Sequence, residues 1–66
     1  MEEMNKNWYC VSFIDEDTRR RNLYCKQYIG TITETDTHII VDNRFKIHPI
    51  DKKIIIKVEK FGVYNE

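Results

Sequence analysis

The sequence has no Ala, one Leu, one Pro and one Ser among its 66 residues. Without Ala and with little Leu it lacks the strongest helix formers, which argues against a helical bundle. Its two glycines, Gly30 and Gly62, stand too far apart for a phosphate-cradling Gly-rich loop. Ser12 sits among apolar residues with no glycine elbow around it, so a serine nucleophile is not expected and no catalytic residue is assigned. Cys10 and Cys25 have no Cys-x-x-Cys spacing, and with His38 and His48 they make no zinc-ligand pattern. No metal and no cofactor is therefore expected. No apolar run approaches the ~20 residues of a membrane span, and no signal-peptide core is read, so the expected setting is cytoplasmic, without a membrane partner. Net charge is absent too. Eleven basic residues balance eleven acidic ones, so any anion-binding surface has to be a local patch.

What is present points to strands. There are ten Ile, four Val, four Tyr and three Phe, the residues that fit a pleated, half-buried surface. Abundant Ile, Lys and Asn without Ala suggests an AT-rich genome, that of a low-GC bacterium or its phage. Period-two alternation predicts strands over residues 8–14, 22–34, 38–41, 45–47 and 53–59. Turns fall at 15–18, 35–37 and 42–44, and Pro49 should take residues 48–52 out of the ladder. Gly30 lies inside the long second strand, where a bend or bulge is expected. Residues 18–28 also fit a helix capped by Asp17 or Thr18, with Tyr24 and Tyr28 on one face, and the sequence leaves both readings open. The expected organisation is a loose N-terminus over 1–7, one domain over 8–61 and a polar tail over 62–66. Alternation places Val11, Phe13, Ile32, Ile39, Val41, Phe45, Ile47, Ile54, Ile56 and Val58 in the core. A turn centred between Asp17 and Thr18 would set Cys10 opposite Cys25, as neighbouring reduced thiols or a slowly formed bridge.

Five short strands with tight turns predict an all-β fold, a small five-stranded antiparallel barrel of SH3-like or Sm-like type. The series Tyr28-Ile29-Gly30-Thr31-Ile32, Ile39-Ile40-Val41, Phe45-Lys46-Ile47-His48-Pro49-Ile50 and Ile54-Ile55-Ile56-Lys57-Val58 resembles the Sm-like core. The His48-Pro49-Ile50 step resembles the corresponding step of the Hfq branch, and the same stretch is similar to the β region of YolD-like proteins. The resemblance spans residues 28–58 and implies binding of short RNA.

The stretch richest in binding chemistry is Arg19, Arg20, Arg21, Tyr24, Lys26 and Tyr28. Guanidinium groups match phosphate oxygens, tyrosine rings offer stacking faces, and on a strand Tyr24, Lys26 and Tyr28 would share one face. These six residues are the expected ligand-binding surface for an anionic, nucleotide-type ligand. A domain this small buries only ~60% of its unfolded surface, and Ile40 and Ile55 are left over on outward faces, so a homo-oligomer is expected. The functional expectation is a non-enzymatic binding module. It would be a phage or mobile-element accessory protein that sequesters a nucleotide-type ligand or inhibits a host protein. The alternatives are Sm-like RNA binding and an SH3-like protein-interaction module.

Overall fold

The computed structural model describes residues 5–65. Five strands form one antiparallel sheet: β1 (Asn5–Phe13), β2 (Lys26–Glu34), β3 (His38–Asp42), β4 (Ile47–Asp51) and β5 (Ile55–Asn65). A short helix, α1 (Glu16–Arg20), links β1 to β2, and a 3-10 turn (Lys52–Ile54) links β4 to β5. Across the sheet the order is β4-β3-β2-β1-β5. The all-β expectation holds, but the sheet is open. No β4–β5 ladder closes it into the expected barrel, because the 3-10 turn carries the chain from one edge to the other. That turn is tied down by Lys52 N–H donating to the Thr37 carbonyl and Ile14 N–H donating to the Ile54 carbonyl.

β1 begins at Asn5 and β5 continues to Asn65, so residues 5–7 and 62–65 belong to strands rather than to loose ends. The remaining terminal residues, 1–4 and 66, lie outside the described residues.

The connection between β1 and β2 is neither a simple turn nor the longer helix. Asp15 caps α1: its carboxylate accepts from the Thr18 N–H at 2.8 Å, and the Thr18 hydroxyl accepts from the Asp15 N–H at 3.3 Å. Glu16 and Asp17 lie in the first turn, Arg19 and Arg20 in the last, as the helix dipole favours. Asn22, at φ 60°, ends the helix. Its N–H donates to the Arg19 carbonyl and the Leu23 N–H to the Thr18 carbonyl, a Schellman closure. This inserted turn delays β2 to Lys26 and moves the hairpin register by four residues. Cys10 therefore stands opposite Ile29, not Cys25, and both thiols are free.

β2 pairs with β1 through residues 26–30 and with β3 from Thr31 onward, so Gly30 stands where the strand changes neighbours. A Cβ at Gly30 would lie 2.4 Å from the Asp42 carbonyl oxygen, so only glycine lets β3 approach this closely.

Val11, Phe13, Val41 and Ile50 are buried, with Tyr28, Ile32, Ile39, Ile54 and Ile55 packed against them. Four residues expected in the core are exposed: Phe45, Ile47, Ile56 and Val58. Two local features account for most of this. β4 includes Pro49 because it is an edge strand, where a missing N–H costs no ladder bond, so Ile50 points inward while Phe45 lies in the β3–β4 turn. In β5 the register shifts between Ser12 and Phe13, which sets Ile55 opposite Phe13 and leaves Ile56 as the bulged residue. Val58 faces the same side as buried Val11 but lies on the sheet's open edge.

Candidate binding cleft

Phe13, Tyr28, His48, Pro49 and Ile54 line a cleft of ≈ 230 Å³ together with Asp15 and Asp51. Tyr28 reaches it from β2 and His48 from β4. The two rings stack with centroids 3.9 Å apart and planes 18° apart. Phe13 supports Tyr28 from below in a tilted contact, with centroids 5.2 Å apart. Pro49 and Ile47, both exposed, also contribute to the lining. Its lining combines aromatic, proline and isoleucine side chains with two acidic residues, Asp15 and Asp51.

Asp15 is committed twice. One oxygen caps α1 and the other accepts from the Lys26 ammonium at 3.3 Å. Its pKa is lowered from 3.8 to about 2, chiefly by the hydrogen bonds from Thr18, with Lys26 adding to the effect. Asp17 is lowered in turn by Lys26, which lies 2.9 Å away. Lys26 is raised by the hydrogen bond to Asp17 first and then by Asp15. Asp51 caps the 3-10 turn, accepting from the Lys53 N–H at 2.9 Å.

The six residues expected to bind a ligand fall into separate places. Arg19 and Arg20 are on α1 and Arg21 caps it, all three exposed. Arg20 and Arg21 lie 3.6 and 3.5 Å from Asp17. Tyr24 is in the connection after α1 and is 90% exposed. It does not share a strand face with Lys26 and Tyr28, since β2 starts only at Lys26. Lys26 is held between two carboxylates, and Tyr28 belongs to the cleft. Arg19, Arg20, Arg21 and Tyr24 thus remain grouped on one segment, whereas Lys26 and Tyr28 serve other contacts.

The cleft partners of Tyr28 were hidden in sequence because His48 and Pro49 read as a chain break. The one usable signal was the aromatic and imino-acid pair His48-Pro49 flanked by Ile47 and Ile50. Ser12 is buried and accepts from the Gln27 side-chain amide at 3.1 Å, across the β1–β2 ladder. Among the described residues no group of three or more His, Cys, Asp or Glu is placed to hold a metal ion. Nor, among them, is any helix long and apolar enough to cross a membrane.

The chain matches no protein-family model, and no curated protein or solved structure resembles it significantly.

Proposed function

We propose that this protein is a non-enzymatic interaction module whose cleft receives a short extended segment of a partner protein. The observation that carries this reading is the cleft itself: a Tyr28–His48 stack and Pro49 beside the carboxylates of Asp15 and Asp51. Flat aromatic and proline surfaces suit an apolar peptide, and the Asp51 carboxylate, unlike that of Asp15, which Lys26 already matches, favours a basic side chain over a phosphate. The strand order β4-β3-β2-β1-β5, with a 3-10 turn leading into the last strand, supports an SH3-like relationship, as an analogy of fold. The test is selection from a random-peptide display library. Peptides combining apolar residues with Lys or Arg should be enriched, and they should lose binding to the His48→Ala variant. No enrichment, or enrichment indifferent to His48, would overturn the reading.

A nucleotide-type anion is the second reading. It rests on the exposed Arg19, Arg20 and Arg21 beside Tyr24. A panel of cyclic and linear nucleotides with a short RNA should then raise the melting temperature saturably, and Arg20→Ala with Tyr24→Ala should abolish the shift. A panel with no shift removes this reading.

A further inference from the structure

The sheet has two edges, and they differ. The β4 edge contains Pro49, which has no N–H to offer a new ladder. The β5 edge runs for 11 residues without proline, and among the described residues it pairs with β1 on one side and with no strand on the other. Residues 56–61 are exposed along it, including the apolar Ile56, Val58 and Phe61. Register shifts at both ends leave residues 57–60 as its regular stretch, paired in order with Ser12, Val11, Cys10 and Tyr9.

We propose that β5 pairs antiparallel with β5 of a second copy of this chain, about a two-fold axis at Val58. Symmetry and charge select that register. Adjacent side chains of a strand point to opposite faces, so a two-fold antiparallel pair has to be centred on a residue, never between two. Within the regular stretch, an axis at Lys57, Glu59 or Lys60 sets a charge directly against its own copy. The Val58 axis alone avoids this. It sets Val58 against Val58 of the partner subunit and places Lys57 opposite Glu59 of the partner subunit twice over. Lys57 and Glu59 already project on one side of the strand, with Nζ and Oε1 3.5 Å apart, and both remain largely exposed. Assembly through this edge stops at two chains, because the edges left over are the proline-bearing β4 strands.

Charge exchange tests the proposal on the full chain by sedimentation equilibrium over a wide concentration series. The parent should be a dimer. Lys57→Glu sets two pairs of glutamates against each other, and Glu59→Lys sets two pairs of lysines. Each variant alone should dissociate roughly tenfold or more readily. Mixed in equal amounts, the two should form a heterodimer, because every opposed pair is then of unlike sign. The double variant K57E/E59K should also regain the dimer, whereas Lys60→Glu, which faces Ile56 of the partner subunit, should leave it unchanged. The mixing result depends only on contacts between chains, so loss of the contact within each strand cannot imitate it. A parent that stays monomeric at high micromolar concentration overturns the proposal and leaves the edge to a strand of another protein. So does a dimer that survives both single exchanges, or a mixture that stays monomeric.

Discussion

Tyr28 lies face to face with His48, although β3 separates their strands in the sheet. Neighbouring strands are ~4.8 Å apart, and His48 is level with Ile32 rather than Tyr28, so a flat sheet would hold these two rings well over ~10 Å apart. A centroid distance of 3.9 Å therefore requires the sheet to curl, and the curl makes the cleft. The stack therefore both holds the curl and forms a wall of the cleft.

Replacing Tyr28 should accordingly affect both. Tyr28→Ala removes the contacts to His48 and Phe13 and should cost about 2–4 kcal/mol in urea unfolding, less than a wholly buried aromatic would. Tyr28→Phe keeps both ring contacts and should stay within about 1 kcal/mol of the parent. An alanine variant as stable as the parent would mean that the stack does not hold the curl.

Gly30 and Gly62 make a matched pair. Gly30→Ala drives a methyl group against the Asp42 backbone, which cannot move aside as a flexible side chain could, and should cost about 1–3 kcal/mol. Gly62→Ala meets nothing within 4 Å and should fall within about 0.5 kcal/mol of the parent. Equal melting temperatures for the two variants would contradict the close approach of β3 to β2.

The β4 frame can be tested the same way. Ile50→Ala empties a buried site and should cost about 2–5 kcal/mol, whereas Phe45→Ala, at a side chain 93% exposed, should cost under about 1 kcal/mol. The reverse ranking would restore the frame that alternation alone suggests.

That contrast shows where the sequence could be read and where it could not. Val11, Phe13 and Val41 lie on uninterrupted strands, and their alternation located them in the core. Each failure has a local exception behind it. Pro49 reads as a breaker, but an edge strand tolerates it, so the frame of β4 differs from plain alternation and turns Ile50 inward. A bulge exchanged Ile55 for Ile56, and no composition rule marks a bulge among three consecutive isoleucines. Asp15, Thr18 and Asn22 together spell a capped single turn, yet an acidic run of this kind equally fits a plain hairpin turn. That turn is what shifts the hairpin register and keeps Tyr24 off the strand. The cleft needs residues from β1, β2 and β4 brought together by the curl, a relation no local pattern carries.

Asp15 supplies the pH test. Its folded pKa is lowered from 3.8 to about 2, so the carboxylate is favoured by folding. A depressed carboxyl contributes stability that is fully present above the unfolded value and lost as pH falls through the folded one. The loss should therefore run from about pH 4 down to about pH 2. Asp17, lowered mainly by Lys26, adds to the same acid limb. Lys26 is raised, so its share is fully present below 10.5 and disappears only as pH rises through its higher folded value. Asp15→Asn keeps an oxygen that can accept from the Thr18 N–H, since asparagine caps helices nearly as well as aspartate, but it no longer titrates. The variant should melt below the parent at neutral pH, with the two curves converging as pH approaches 2, because protonation then removes from the parent what the substitution removed from the variant. Parallel melting curves across that range would show that Asp15 is not held low by its contacts with Thr18 and Lys26.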